Sequence, residues 1–253
     1  MIYYYTISAV VAVLIGYTCA KSLNESFKKR TLHSYNTHST SVKSSAPASL
    51  TSAECTIHTN VVKSVNTLKR AFMSDPVFNY LVPEMGDREI FIHNFFTLLV
   101  SLLPGRVYQY MDFGGVMLWA RGTVENVDTM AFITNGGLLN LRFLKWSRIL
   151  STILFFDSLE NKRNYHLKGA TDYYFLMDIG VDPENRGQGY GSTMLDYFVK
   201  NHADKEGVPC YLEATTDSSR RLYERHKFVV VETVQVPPNG PKMYLMLRQP
   251  VAN

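Results

Sequence analysis

Three glycines at alternate positions, Gly187, Gly189 and Gly191, stand between Arg186 and Ser192 in the run Arg186-Gly-Gln-Gly-Tyr-Gly-Ser192. These residue types at this spacing suit the binding of an anion. Glycine lets the backbone approach a ligand closely and adopt positive φ. Amide N–H groups from Gly187 through Gln188, Gly189, Tyr190 and Gly191 to Ser192, at the positive end of a helix dipole, make a seat for a phosphate or pyrophosphate. The Arg186 guanidinium and the Ser192 hydroxyl would add a cation and a donor for the same oxygens. A glycine-rich turn that only redirects the chain satisfies the same pattern, so the context has to separate the two. Two kinds of phosphate loop do not fit. There is no Gly-Lys-Ser/Thr ending for β/γ-phosphates and magnesium. The Gly187-Gln-Gly-Tyr-Gly191 spacing is not G-x-G-x-x-G, and the loop lies late in the chain rather than in a first βαβ unit.

The flanking sequence supplies the elements that would hold such a loop. Tyr173–Val181 is rich in aromatic and apolar residues, as a buried strand should be. Asp182-Pro183 ends it, since proline removes a ladder donor and presets a turn. Met194, Leu195, Phe198, Val199, His202 and Ala203 then recur at helical spacing, and Gly207 with Pro209 supplies the stop.

Arg186, Gly189 and Gly191 fall on the defining positions of the Gln/Arg-x-x-Gly-x-Gly/Ala signature, and the chain resembles the GNAT acetyltransferase superfamily there. The likeness extends along residues 54–248, more strongly after Tyr173. Cys210–Thr215 resembles the family's following strand, and Ser219–Phe228 its next helix, with Leu222-Tyr-Glu preceding Phe228. Val229–Val236 and Met243–Leu247 resemble its last two strands. Ala71–Leu81 is similar to the first helical region of puromycin-acetyltransferase-like enzymes. The resemblance implies an α+β, α/β/α-layered fold. Its mixed, mostly antiparallel, twisted sheet would have about seven strands with splayed central strands and helices on both faces. It also implies acetyl-coenzyme A as co-substrate, its pyrophosphate held by the loop, and an amine as acceptor.

Acyl transfer from a thioester to an amine needs a grip on the cofactor, a polarised carbonyl, a base for the amine and an acid for the thiolate. The resemblance assigns the polarising N–H to Val181 or Ile179, on a strand that splays from its neighbour. It assigns the acid to Tyr223; a phenol with an ordinary pKa of about 10 suits a thiolate of similar basicity. An aromatic that only packs the helix onto the sheet is the other reading of Tyr223. Ser219 stands where relatives carry an asparagine that touches the cofactor. The strand glutamate of many relatives corresponds here to Phe175, so Asp178 and Glu213 on adjacent strands are the candidate bases, acting through water. Each could instead be a hydrogen-bonded strand carboxylate, and His166 and Asp172 are remoter options. Lys227 replaces the family's glycine before Phe228 and would have to adopt a helix-end conformation that glycine adopts more cheaply. Cys210 carries no nucleophile signature, so direct transfer needs no covalent enzyme intermediate.

The chain has 253 residues, 46% hydrophobic and 19% charged, with formal net charge +4. That charge is too mild to argue for nucleic acid. Three widely spaced cysteines, Cys19, Cys55 and Cys210, imply neither a disulfide scaffold nor a metal site. Ile2–Ala20 holds no charged residue and, at ~1.5 Å per residue, would make a helix of roughly 28 Å, near the bilayer core. It reads as a single-pass anchor (residues 1–20), with Lys21, Lys28, Lys29 and Arg30 keeping the domain cytoplasmic. A cleaved signal peptide ending near Thr18-Cys-Ala20 is the alternative. Residues 21–53 read as a Ser/Thr-rich linker and 54–253 as the acetyltransferase domain. Within the domain, the pattern predicts a strand over Cys55–Val62 overlapping a helix over Val61–Met73. A further helix is expected over Arg88–Leu103, a hairpin across Phe113-Gly114, and a helix over Leu138–Phe156. On that last helix Arg142, Lys145 and Arg148 line one side, beside Phe143, Trp146, Ile149 and Phe155. This reads either as a solvated face or as a stripe resting on an anionic membrane. The functional reading is a membrane-tethered N-acetyltransferase; the alternatives are a non-catalytic acyl-coenzyme A-binding module and an O-acetyltransferase.

Overall fold

The computed structural model describes residues 56–57, 60–103, 105–122, 137–168, 170, 172–237 and 239–251. All belong to the second of the chain's two compact units, Ser52–Asn253. The expected anchor and linker lie outside the described residues. Among the described residues seven strands form one sheet in the order β1-β2-β3-β4-β5-β7-β6. They are β1 (Thr56–Ile57), β2 (Val107–Tyr110), β3 (Gly115–Arg121), β4 (Tyr174–Val181), β5 (Cys210–Ala214), β6 (Val229–Gln235) and β7 (Lys242–Arg248). Every neighbouring pair is antiparallel except β4 and β5.

Helices cover both faces. On one lie α1 (Val61–Phe72), α2 (Pro76–Leu81), α3 (Met85–Leu102) and α4 (Trp146–His166), and on the other α5 (Tyr190–Phe198) and α6 (Asp217–Arg225). Strand alternation sorts the sheet's apolar side chains between two cores. Leu118, Val116 and Tyr211 join Leu68, Ile92 and Phe96 from α1 and α3, while Met117, Trp119, Leu176 and Leu212 join Met194, Leu195 and Phe198 from α5. A one-residue irregularity interrupts this alternation. Leu118 pairs with Asp178 but Trp119 pairs with Leu176, so Met177 is an extra residue, a β-bulge. Asp178 therefore shares the face of Leu118, toward α1.

Two expectations are corrected. Of the strand read over Cys55–Val62, Thr56–Ile57 is strand among the described residues, and α1 already begins at Val61, where the Asn60 side chain accepts from the Lys63 N–H. The helix read over Leu138–Phe156 is two elements, a 3₁₀ segment (Gly137–Phe143) and α4, separated at Lys145 where the backbone turns extended. The basic residues do not form one solvated stripe. Arg148 turns inward, donating to the Tyr80 carbonyl at 2.9 Å with its guanidinium 4.3 Å over the Tyr80 ring. No helix among the described residues is long and apolar enough to cross a membrane.

The hairpin turn between β2 and β3 takes an uncommon form: Met111, Asp112 and Phe113 all have positive φ, a conformation costly for residues with a Cβ. It is held from α1, where Thr67 Oγ1 donates to the Phe113 carbonyl at 2.7 Å, and from β2, where Gln109 accepts from the Phe113 N–H. Next to it Gly114 lies against Tyr190 and Asn185; a Cβ there would fall 2.7 Å from the Tyr190 ring.

Candidate active site

Asp182 starts the loop by accepting from the Glu184 N–H, with Pro183 in the first position of a single 3₁₀ turn. Gly187 (φ 79°) and Gly189 (φ 83°) adopt the left-handed region that their neighbours with side chains would reach only with strain. A Cβ at either would meet nothing within 4 Å, so both face open space. Gly189 caps α5, and the first helical bond runs from the Thr193 N–H to the Gly189 carbonyl at 2.9 Å. The N–H groups of Tyr190, Gly191 and Ser192 precede that ladder and sit at the positive end of the helix. Tyr190 itself packs edge-on to Tyr110 with ring centroids 5.0 Å apart. Gln188 donates to the Glu184 carbonyl, and the Arg186 guanidinium donates to the Ala71 carbonyl at 2.9 Å, tying the exposed loop to the end of α1. Ser192 Oγ lies 2.8 Å from His226 Nε2.

Upstream of the loop the sheet opens. The parallel ladder between β4 and β5 covers only Tyr174–Leu176 against Cys210–Leu212, after which β4 follows β3 to Val181 and β5 follows β7 to Ala214. The Asp182 N–H donates to the Gly114 carbonyl at 2.9 Å. In an antiparallel ladder bonded and non-bonded residues alternate. The N–H and C=O groups of Val181 and Ile179, opposite Gly115 and Met117, are thus directed away from β3 and into the opening.

Three carboxylates converge at this opening. Asp178, on β4, is pushed up to about 7, first by burial and then by the charges of Asp75 and Glu213. Glu213, on β5, is also pushed up to about 7 by burial, with the Arg163 guanidinium opposing. Asp75 caps α2, accepting from the N–H groups of Val77 and Phe78, and its other oxygen accepts from the Thr215 hydroxyl. Burial raises its pKa against those donors. Tyr223, on α6, is buried beside Phe228; its phenol is raised by burial and then by the charge of Asp178. The structure thus couples Asp178 electrostatically to both Glu213 and Tyr223. A carboxylate near 7 can accept a proton at neutral pH, and a phenol can return one to a thiolate.

Other sequence-predicted residues are placed elsewhere. Ser219 completes a capping box with Thr216, and its hydroxyl donates to the Thr216 carbonyl at 2.9 Å. Asp172 is held in a bidentate pair by Arg121, and His166 contacts Glu232 at 2.8 Å. Burial pushes the Cys210 thiol up, which keeps it protonated and inert. Lys227 has φ 67°, the strained helix end its position demands.

Sequence reasoning missed Asp75, whose Asp-Pro helix start was the available signal. It also missed Arg163, a buried cation 4.5 Å over the Phe175 ring, for which there was none. His226 and its neighbour Asp196 were missed as well. Among the described residues no group of His, Cys, Asp and Glu could hold a metal ion.

From the splayed β4/β5 pair, β4 leads into a glycine loop at a helix start, an arrangement that suits a phosphate-bearing ligand. The family described as acetyltransferase (GNAT) domain matches residues 159–230. Over that stretch the chain is similar to GNAT acetyltransferases, and it is an acyltransferase. It is 28% identical over 197 residues to an uncharacterized N-acetyltransferase of Schizosaccharomyces pombe, covering 74% of this chain and 79% of that one. Two crystal structures share the fold. The first, described as histone acetyltransferase HPA2 and related acetyltransferase of Corynebacterium glutamicum, has TM-score 0.53 at 20% identity, covering 79% of this chain and 97% of the other. The second, arylalkylamine N-acetyltransferase 2 of Aedes aegypti, has TM-score 0.51 at 13% identity, covering 78% and 98%.

Proposed function

We propose that this chain transfers an acetyl group from acetyl-coenzyme A directly to a primary amine of a small acceptor. The observation that carries the reading is the opening between β4 and β5, with backbone N–H groups at its mouth and carboxylates near neutrality in its wall. The pyrophosphate sits on the N–H groups of Gly187–Ser192, with Arg186 at the lip. The pantetheine arm runs along Ile179 and Val181 as an added strand would, and an N–H of that edge polarises the thioester carbonyl.

Asp178 or Glu213 takes the amine proton through water, and Tyr223 protonates the departing thiolate. Phe175 in place of a glutamate argued for a non-catalytic module. The carboxylates at 178 and 213, with pKa values set near the working pH, support catalysis instead. Calorimetric titration of acetyl-coenzyme A, followed by a free-thiol assay against a panel of amines, tests the reading. Micromolar binding with amine-dependent thiol release is expected; binding without release from any amine favours the non-catalytic module, and no binding removes the loop assignment.

Residues 1–20 are part of the proposal as a membrane anchor with the domain on the cytoplasmic side. Deleting them should release the protein from membranes while leaving cofactor affinity within about twofold of wild type. Sedimentation of the shortened chain with membranes would exclude the anchor as the sole tether.

A further inference from the structure

Behind the glycine loop three side chains lie in contact. Asp196 Oδ1 lies 2.9 Å from His226 Nδ1, at ion-pair distance, and His226 Nε2 is hydrogen-bonded to Ser192 Oγ at 2.8 Å. The imidazole is buried, with 7% of its side chain exposed, whereas Asp196 is half-exposed. Asp196 and Ser192 lie one turn apart on α5, so one helix face fixes both. His226 is fixed from behind: its N–H donates to the Tyr223 carbonyl at 2.9 Å, and its carbonyl accepts from Arg248 Nε at 3.0 Å.

We propose that seating a pyrophosphate on the glycine loop is coupled to uptake of a proton by His226, with Asp196 and Ser192 as the coupling device. The inference rests on the cofactor reading above and extends it. A carboxylate oxygen 2.9 Å from Nδ1 repels a nitrogen lone pair there, so Asp196 favours the proton on Nδ1 of His226. In the neutral imidazole Nε2 is then an acceptor, and the Ser192 hydroxyl must spend its one proton on it. That leaves only oxygen lone pairs facing the loop, where they would repel a phosphate oxygen. In the imidazolium, Nε2–H donates to Ser192 Oγ instead. The hydroxyl proton is freed to turn toward the loop, and a positive charge stands behind it. An anion on the loop therefore favours the second arrangement, and by reciprocity of linkage its binding draws in a proton.

The groups facing His226 permit this. From α5 come Asp196 and Ser192. From β7 comes Arg248, whose guanidinium is occupied by both oxygens of Asp204 at 2.7 and 2.8 Å. Glu224, Arg225 and Lys227 adjoin it along the chain. The same residue types in the same order make the nucleophilic triads of hydrolases. Here the hydroxyl belongs to the first turn of a helix, within the run of N–H groups read as the phosphate seat.

The test is calorimetric titration of coenzyme A into the full chain near neutral pH, in buffers of low and high ionisation enthalpy, so that proton uptake is read directly. Wild type should take up a substantial fraction of one proton per coenzyme A. His226→Gln should lose most of that uptake together with about tenfold in affinity. Asp196→Asn, which frees the tautomer, should lower the uptake with the imidazole still in place. S-acetylpantetheine, which lacks the pyrophosphate, should show no difference between wild type and either variant. Protonation of the ligand's own phosphates is common to all proteins and cancels. Equal uptake by wild type and both variants would overturn the coupling while leaving the loop as the cofactor site. Absence of coenzyme A binding to wild type would remove the loop reading and the coupling with it.

Discussion

The two halves of the site are built by opposite means. The glycine loop is a contiguous, exposed stretch, and the groups it offers a ligand are backbone N–H groups placed by two left-handed glycines and a helix start. The cluster of carboxylates and the Tyr223 phenol is assembled from β4, β5, α6 and the start of α2, lies largely buried, and offers side chains whose protonation the fold has displaced. Backbone recognition suits a constant partner, since phosphate oxygens ask only for N–H groups and positive potential. Side chains drawn from separate elements suit the part that must handle a proton, because each can be tuned by its own neighbours.

Substitutions that separate the halves would test this division. The largest effect is expected on the loop. Gly189→Val places a side chain in the open seat and forces a β-branched residue to positive φ, so acetyl-coenzyme A affinity should fall on the order of 10³-fold, about 4 kcal/mol. Calorimetry alongside a circular dichroism melt reads it, and unchanged affinity would mean the loop is only a turn.

Asp178→Asn should leave that affinity intact and lower turnover by about 10²- to 10³-fold. The wild-type rate should rise with pH through about 7, as the two carboxylates ionise. Stability should move the opposite way. Their folded-state pKa values exceed the unfolded ones, so between about pH 4 and 7 the native state binds more protons and loses stability as pH rises. At pH 8 Asp178→Asn should therefore stabilise the protein by about 1–3 kcal/mol while disabling it. A variant that loses turnover and stability together would make Asp178 a structural residue.

Tyr223→Phe should lower turnover by roughly 10²-fold with little change in cofactor affinity. A wild-type rate would return the phenol to a packing role. The smallest effect belongs to the hinge after α6. Lys227→Gly should raise stability by up to about 1 kcal/mol by relieving the positive φ, readable in a denaturant midpoint with no change in turnover.

What was legible follows the same division. The strand end at Val181, the loop, the capping glycine and the start of α5 lie within one short stretch, so local chemistry identifies them. The carboxylate pair was proposed on adjacent strands, and the structure brings it together, but two features of its setting left no local mark. The bulge at Met177 that puts Asp178 on the face of Leu118 is a choice of pairing between strands. Asp75 meets Thr215 across most of the length of the chain. The break before α4 was missed because no proline or glycine marks Lys145. The far end of α4 was missed because apolar periodicity records the buried face, whereas the helix runs on through Asp157, Glu160 and Asn161 to His166.

The position of β7 sets the order of events in the protein's birth. Of the seven described strands it is the last to leave the ribosome, yet it stands between β5 and β6 and bonds to both. Until it arrives, β5 presents a bare edge, β6 has no neighbour, and Arg248 has not yet reached Asp204 or the carbonyl of His226. The glycine loop and α5 emerge before it, but the sheet beneath them closes only when this final strand slides into a waiting slot. That is a long-range step, slow by nature, and the interval is when an unpaired edge is most open to a neighbouring chain.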